Sequence, residues 1–427
     1  MTRKSRLLTA GSVIVLVALM VALLLMWRPA IAPVSTPPAT SFDAQTRVAG
    51  ARVVALGDCI VCHTAKGGRP FAGGLPLATP FGTIYATNIT PDPETGIGNW
   101  SLTAFKRALR DGVSRDGHLL YPAFPYIHFT RISDSDIAAA YAYLMTREPV
   151  NATTPANDLV FPLNFRPPLA LWNLQFLHAG PRPPDTSKDA RWNRGKLLVD
   201  GLGHCASCHS PLNLIGGEKA GHGFDGGVVD GWEAPALNAL SAAPKPWTQD
   251  QLVMYLRSGR ASEHGAAAGP MLPVTRDLAT VPDEDVQAIA AYILSIQKPT
   301  SSDADIPLDA KLANLAATQP GAALFAASCA QCHGPAAPMQ SIGERPSLAF
   351  STAVNAATPR NAIQMMLSGN GWHGEDRENY MPAFSQIYDD HQIAELASYI
   401  RATYSQRGPW QDVATMAARI RQENHAR

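Results

Sequence analysis

The chain contains Cys59-Ile60-Val61-Cys62-His63, and the same pattern recurs as Cys205-Ala206-Ser207-Cys208-His209 and as Cys329-Ala330-Gln331-Cys332-His333. These copies use all six cysteines of the 427-residue sequence, so none is left for a disulfide. Two cysteines at this spacing with a histidine directly after them are the attachment signal of c-type haem. The thiols can bond the two vinyl groups of the porphyrin, and the histidine can bind its iron. The sequence therefore predicts three haem c groups, attached through Cys59, Cys62, Cys205, Cys208, Cys329 and Cys332, with His63, His209 and His333 as iron ligands.

A Cys-x-x-Cys pair has two other interpretations, a thiol redox pair and one half of a zinc site. A redox pair does not need the adjacent histidine, and it does not need that histidine three times. A zinc site would need further cysteine or histidine partners at finger-like spacing. Haem attachment is therefore the preferred interpretation of all three copies.

The sixth iron ligand of an electron-transfer haem is most often methionine, which raises the redox potential. Met271 and Met381 lie beside proline in loops that precede the closing helices of the second and third copies, and both are predicted ligands. The alternative for each is a methionine that fills a gap in the core. In the first copy Phe124 occupies this place, and the nearest donor is His128, four residues later. His128 is therefore the predicted sixth ligand, which would make the first haem bis-histidine and lower its potential.

Two alternatives remain open for the first iron: His118 as the sixth ligand, or an open five-coordinate site. The other histidines have no comparable context, and surface or capping positions are expected for them. They are His178, His204, His222, His264, His373, His391 and His425.

The spacing of the three copies predicts a mainly α fold with three tandem cytochrome c domains after a single N-terminal transmembrane helix. Each copy follows a short helical pattern, and an amphipathic helix closes each repeat. Tyr143, Tyr292 and Tyr399 share one register in the closing helices, where core packing against the first helix is expected. The predicted domains cover residues 43–150, 189–298 and 315–405, joined by linkers at 151–188 and 299–314. A tail at 406–427 has a helical pattern that suits the membrane surface, a partner subunit or a last helix on the third domain.

The N-terminal segment is predicted to anchor the chain. Residues 7–27 carry no charge and are long enough to cross a bilayer. Arg3, Lys4 and Arg6 precede this segment, which keeps the short end in the cytoplasm. Residues 1–28 are thus a predicted single-pass anchor in the bacterial inner membrane, with a proline-rich spacer at 29–42 and the bulk in the periplasm. The alternative is a signal peptide cleaved after Ala30-Ile31-Ala32, for which Pro33 is a poor context.

Composition excludes one class of partner. The chain has 35 basic and 35 acidic side chains, so no basic excess indicates nucleic acid. No pattern of a nucleotide-binding glycine loop, a nucleophile elbow or a zinc protease occurs in the sequence. No catalytic residues are predicted beyond the haem ligands, and the chain is not expected to oxidise the substrate itself.

Further motifs resemble a known family. They are Thr87-Asn88-Ile89-Thr90-Pro91-Asp92, Gly96-Ile97-Gly98-Asn99-Trp100-Ser101 and Gly226-Gly227-Val228-Val229-Asp230-Gly231-Trp232. Together with the three Cys-x-x-Cys-His copies, they make residues 43–405 similar to the triheme cytochrome c subunits of bacterial membrane-bound dehydrogenases. The resemblance implies an electron-transfer subunit that passes electrons to ubiquinone or a terminal oxidase.

Two branches of that family differ in the catalytic partner. The branch that serves quinoprotein alcohol dehydrogenases and flavoprotein gluconate-type dehydrogenases usually has Pro-Ala-Met-Pro-Tyr in its first domain. The segment Tyr121-Pro122-Ala123-Phe124-Pro125-Tyr126-Ile127-His128-Phe129 instead resembles the branch that serves molybdenum hydroxylases. Residues 142–150 and 161–164 also resemble that second branch.

The second branch implies two partners. They are a large molybdopterin subunit, which oxidises an aldehyde or an N-heterocycle such as nicotinate or isoquinoline, and a small subunit with [2Fe–2S] clusters. The first branch remains the alternative. An independent haem peroxidase that uses an open iron in the first domain, and a haem-based sensor, are the other two interpretations of a haem-binding chain.

Overall fold

The computed structural model describes Val13, Leu16, Val17, Met20 and residues 27–299, 319–334, 337, 345–371 and 381–425. Most of the predicted anchor at 1–28, and all but the first residue of the predicted linker at 299–314, lie outside these residues. In the described part of the chain, no helix is both long and apolar enough to cross a membrane. The fold is mainly helical, as predicted, and it divides into two compact units. The first unit is Met1–Asp185 with Asp200–His204, and the second is Thr186–Val199 with Cys205–Arg427.

The first unit combines helices with a small antiparallel sheet, in which β2 lies between β1 and β3. Its elements are α1 (Ala44–Leu56), α2 (Cys59–Cys62), β1 (Pro76–Thr79), β2 (Gly82–Tyr85), α3 (Leu102–Asp111), α4 (Tyr126–Phe129), α5 (Asp134–Met145), β3 (Asp158–Leu159) and α6 (Leu169–Phe176). Asp43, Ser101 and Ser133 cap α1, α3 and α5, because each side chain accepts a hydrogen bond from a backbone N–H of the first turn. Both β3 and α6 fall within residues 151–188, which the sequence predicts as a linker.

The second unit contains both of the other Cys-x-x-Cys-His copies. Its helices are α7 (Ala190–Leu197), α8 (Ala206–His209), α9 (Gln249–Ser258), α10 (Met271–Thr280), α11 (Asp283–Ser295), α12 (Gly321–Ser328), α13 (Ala330–His333), α14 (Arg360–Ser368), α15 (Asp390–Tyr404) and α16 (Val413–His425). Its strands form two hairpins, β4 (Gly227–Val229) with β5 (Trp232–Ala234) and β6 (Arg260–Ala261) with β7 (Gly265–Ala266). Asp389 and Gln392 form a capping box at the start of α15.

Each Cys-x-x-Cys-His copy follows a helix that crosses a later helix at a glycine. The crossings join α1 to α5, α7 to α11 and α12 to α15. A Cβ atom on the glycine would lie 2.0, 2.1 and 2.3 Å from a backbone carbonyl oxygen of the second helix; the pairs are Gly50 with Ala139, Gly195 with Ala288, and Gly321 with Glu395. Tyr143, Tyr292 and Tyr399 pack at these crossings, as the sequence predicts. Only glycine permits so close an approach of two helix backbones.

Gly195→Ala is expected to destabilise the second unit by about 3 kcal/mol, because the added methyl group would meet backbone atoms that cannot move independently. The midpoint of guanidinium unfolding, followed by far-ultraviolet circular dichroism, measures the effect. Gly223→Ala is the matched control, since no atom lies within 4 Å of the Cβ that it would add. Equal midpoints for the two variants would contradict this account of the crossing.

The C-terminal tail forms a helix that packs on the third copy. Ala417 and Ile420 of α16 are fully buried in the core that includes Phe325 and Leu396. Trp410 donates its indole N–H to the carbonyl oxygen of Ala356 at 2.9 Å. Of the three positions that suit the tail, the structure therefore places it as the last helix of this region.

Candidate haem-binding sites

The three Cys-x-x-Cys-His copies adopt the same turn. In each copy the backbone N–H of the histidine donates to the carbonyl oxygen of the first cysteine, at 3.0 Å in the first, 2.9 Å in the second and 2.8 Å in the third. This places the first cysteine and the histidine one helical turn apart. All six cysteines are thiols and none forms a disulfide. Burial raises the pKa of the Cys329 thiol to about 11, which keeps it protonated near neutral pH.

The histidines of the first two copies are held through one ring nitrogen. Nδ1 of His63 lies 2.6 Å from the carbonyl oxygen of Thr87, and Nδ1 of His209 lies 2.7 Å from that of Pro235. A carbonyl oxygen only accepts, so Nδ1 carries the proton and Nε2 keeps its lone pair for a metal. Burial lowers the pKa of both imidazoles, which favours the neutral form that binds iron.

A hairpin brings each of these carbonyl groups to its histidine. In the first unit the carbonyl oxygen of His63 accepts from the N–H of Gly73 at 2.8 Å, and the β1–β2 hairpin then leads to Thr87. In the second unit the carbonyl oxygen of His209 accepts from the N–H of Gly226, also at 2.8 Å, and the β4–β5 hairpin leads to Pro235. The sequence motifs that begin at Thr87 and Gly226 thus have a structural role, which the sequence alone does not predict.

The loop after Thr87 is fixed by Asn88, which is buried. Its amide nitrogen donates to the carbonyl oxygen of Val150 at 2.7 Å and to Oγ1 of Thr95 at 2.9 Å. Its amide oxygen accepts from the backbone N–H of Thr90. These bonds satisfy the buried amide and hold the neighbouring Thr87 carbonyl in place.

His333 of the third copy is half-buried, and this burial lowers the pKa of its ring. Its carbonyl oxygen accepts a hydrogen bond from the Tyr404 hydroxyl of α15 at 3.2 Å. The third copy therefore presents a neutral imidazole beside two thiols, like the first two.

Both predicted methionine ligands are half-buried, and each lies near a glycine with a positive φ: Gly269 for Met271 and Gly369 for Met381. Met271 is the first residue of α10, and Gly269, two positions before it, has a φ of +51°. A Cβ atom on Gly269 would lie 2.4 Å from Nε1 of the Trp232 indole. Met381 exchanges two backbone hydrogen bonds with Asn370, at 2.9 and 3.0 Å. Residues 372–380, including Tyr380, lie outside the described residues. Iron coordination by either methionine stays a prediction.

His128 lies on α4 and is only 1% exposed. Its Nδ1 is 2.9 Å from the carbonyl oxygen of Asp200, which also accepts from the Arg131 guanidinium at 2.7 Å. The ring is thus held through Nδ1 to a carbonyl group, in the same way as His63 and His209. The alternative ligand, His118, instead places its Nδ1 2.9 Å from Oγ of Ser114. Coordination by His128 stays a prediction.

The expected surface or capping position is wrong for His264. It is 1% exposed, and its ring stacks on Trp247 with 3.8 Å between the centroids. Neither ring nitrogen has a hydrogen-bond partner among the described residues. Burial lowers its pKa to about 4, so the ring is neutral at physiological pH. No pattern in the sequence indicates this burial, because Trp247 lies 17 positions away along the chain.

Comparison with known proteins identifies the family. Residues 193–297 match the family described as cytochrome c, and residues 316–400 match the one described as cytochrome C oxidase, cbb3-type, subunit III. The gluconate 2-dehydrogenase cytochrome c subunit of Pantoea cypripedii is 37% identical over 380 residues, which are 83% of this chain and 85% of that relative. This chain belongs to the cytochrome c subunits of bacterial dehydrogenases. The resemblance noted in the sequence is confirmed.

Two other relatives of this cytochrome c subunit are named for different dehydrogenases. The cytochrome c subunit of alcohol dehydrogenase (quinone) from Gluconacetobacter polyoxogenes is 35% identical over 414 residues, which are 90% of this chain and 86% of the relative. A nicotinate dehydrogenase subunit of Pseudomonas putida is 47% identical over 409 residues, which are 94% of this chain. The chain spans only 34% of the length of that Pseudomonas protein.

The residues of the cytochrome c subunit fit haem c. In each copy the first cysteine lies one helical turn from a histidine whose pKa is lowered by burial, and in two copies a carbonyl group holds that imidazole through Nδ1. Cys59 and Cys62 with His63, and the matching residues of the other copies, are the ones that would hold the group. When bound, the iron supplies one-electron oxidation and reduction.

Proposed function

We propose that this cytochrome c subunit carries three haem c groups and is the membrane-anchored electron-transfer subunit of a periplasmic molybdenum-dependent aldehyde or N-heterocycle dehydrogenase. One observation carries the electron-transfer role: the attachment turn occurs three times, with histidine-to-cysteine hydrogen bonds of 3.0, 2.9 and 2.8 Å. A chain that repeats only this site suits the relay of single electrons between a catalytic partner and an acceptor. The proposed acceptor is ubiquinone or a terminal oxidase.

The identity of the partner rests on the first copy. Phe124 stands where methionine is usual in the quinoprotein branch, and His128 is buried nearby with Nδ1 on a carbonyl group. The relative with 47% identity is named for nicotinate, an N-heterocycle, which supports the same branch. The proposed partners are therefore a large molybdopterin subunit and a small [2Fe–2S] subunit.

The proposed anchor is the apolar segment at residues 7–27. Val13, Leu16, Val17 and Met20 are helical and exposed, and their spacing of three, one and three positions places them on one face. The absence of charge from position 7 to 27 supports a membrane span, with the bulk of the chain in the periplasm.

A second candidate is the cytochrome subunit of a quinoprotein alcohol dehydrogenase or a flavoprotein gluconate-type dehydrogenase. Two relatives support it: subunits named for gluconate 2-dehydrogenase and for alcohol dehydrogenase (quinone) are 37% and 35% identical over 83% and 90% of this chain. The identity of the partner separates the two candidates.

Purification of the affinity-tagged chain from solubilised membranes is expected to bring along two partners, one with molybdenum and one with [2Fe–2S] clusters. Peptide mass spectrometry and metal analysis identify them. An untagged strain taken through the same steps is the control for non-specific binding. A quinoprotein or flavoprotein partner would establish the second candidate, and a chain that purifies alone would contradict both.

A further inference from the structure

The first unit exposes a run of large apolar side chains around α6, which we name the α6 face. Its members are Val160, Phe161, Leu163, Phe165, Leu171 and Leu174. Their exposure ranges from 40% for Leu163 to 84% for Phe161. Single exposed apolar residues need no explanation, but six within fifteen positions indicate a surface that binds something.

The inner side of α6 is fixed by packing, which leaves the outer side chains facing away from the unit. Ala170 and Trp172 are buried, and the Trp172 ring lies 6.2 Å from the ring of Tyr126. The hydroxyl of Tyr126 donates to Oδ1 of Asn173 at 2.6 Å. With these contacts holding one side of the helix, Leu171 and Leu174 are presented on the other.

The charges around the α6 face suit lipid phosphates. No Asp or Glu occurs between positions 159 and 184, while Arg166 and Arg182 lie in this stretch. The Arg166 guanidinium stacks on the Tyr121 ring at 4.4 Å and donates to the carbonyl oxygen of Leu119. Apolar segments that carry basic and no acidic residues in their own sequence are typical of a membrane interface.

The end of the apolar N-terminal segment is fixed to the same part of the first unit. The Arg107 guanidinium donates to the carbonyl oxygen of Pro29 at 2.6 Å. The backbone N–H of Ile31 donates to the carbonyl oxygen of Arg115 at 2.8 Å. Gly117 lies so close to Arg28 that a Cβ would be 2.0 Å from the Arg28 carbonyl oxygen.

The loop that holds this segment also packs against α6. Val113 and Leu119, on either side of Gly117, share one buried apolar cluster with Ala170 of α6. A segment that enters the bilayer just before residue 28 would therefore bring α6 close to the membrane surface.

We propose that the α6 face lies in the interface of the bilayer in which residues 7–27 are anchored. The occupant of this face is lipid, with the apolar side chains at the level of the headgroups and upper acyl chains. The inference rests on the proposed anchoring of the chain and adds a second contact with the membrane. Such a contact would fix the orientation of the first unit on the bilayer, which a single helix and a spacer do not.

Photo-crosslinking of the full-length chain tests this contact. p-Benzoylphenylalanine is placed at Leu174 on the α6 face and, as matched controls, at the exposed apolar positions Val48 and Leu214. Each variant is reconstituted in vesicles of phosphatidylethanolamine and phosphatidylglycerol and irradiated, and lipid adducts are measured by mass spectrometry. About tenfold more adduct is expected at Leu174 than at either control, because only an interfacial side chain meets acyl C–H bonds.

An alkaline wash of the same vesicles separates the two ways in which the inference can fail. If the chain stays bound but Leu174 gives no more lipid adduct than the controls, the α6 face does not contact the bilayer and the anchor stands. If the wash releases the chain, the anchor fails, and the α6 face proposal fails with it. An adduct that joins two protein chains at Leu174 in place of lipid would also overturn it.

Discussion

The cytochrome c subunit is expected to weigh three haem groups more than its polypeptide. The double substitution Cys205→Ser with Cys208→Ser is expected to remove one of these groups. The two sulfurs of each copy are the only covalent attachment that the turn offers, and serine oxygen does not form the thioether. Intact-mass spectrometry under denaturing conditions counts the groups that remain. The free energy of unfolding of the second unit is also expected to fall, because a haem that binds only the folded state stabilises that state. Without it, the buried imidazole of His209 would lose its iron partner.

Ser207→Ala is the control for this experiment, because residue 207 lies between the two cysteines and the substitution keeps both thiols. It should retain all three groups. A wild-type mass with only two haem groups would show that one of the three turns is not loaded.

Local features of the sites were predictable from the sequence, because they depend on neighbours along the chain. The first cysteine and the histidine of each copy are four positions apart, so one helical turn fixes their geometry. The crossing tyrosines follow from helical periodicity in the same way. These predictions needed no knowledge of how distant segments meet.

Contacts between distant residues were not predictable. The carbonyl group of Thr87 lies 24 positions from His63, and that of Pro235 lies 26 positions from His209, so each contact depends on an intervening hairpin. A carbonyl group belongs to every residue, and no side chain identifies the one that binds. The predicted linker is a related case. Its prolines indicate loop, yet Trp172 is buried against Tyr126 and makes α6 part of the first unit.

His128→Met is expected to raise the potential of the first haem by on the order of 100 mV, within the ~0.8 V range that axial ligands span. A carbonyl group on Nδ1 makes an imidazole a stronger donor, which stabilises the oxidised iron, whereas a thioether favours the reduced iron. Nδ1 of His128 has such a partner in Asp200, at 2.9 Å. Spectroelectrochemical titration measures the potential.

Electron paramagnetic resonance of the same variant tests the ligand directly. The wild type should show one low-spin bis-histidine signal, and the weak far-red band of methionine–iron bonding should correspond to two haems. In His128→Met the bis-histidine signal should disappear, and the intensity of the far-red band should correspond to three haems. His118→Met is the matched control, since the ring of His118 is held by Ser114 and its loss should leave the signal unchanged. If His118→Met removed the signal and His128→Met did not, the ligand would be His118, and the Nδ1 contact of His128 would serve packing alone.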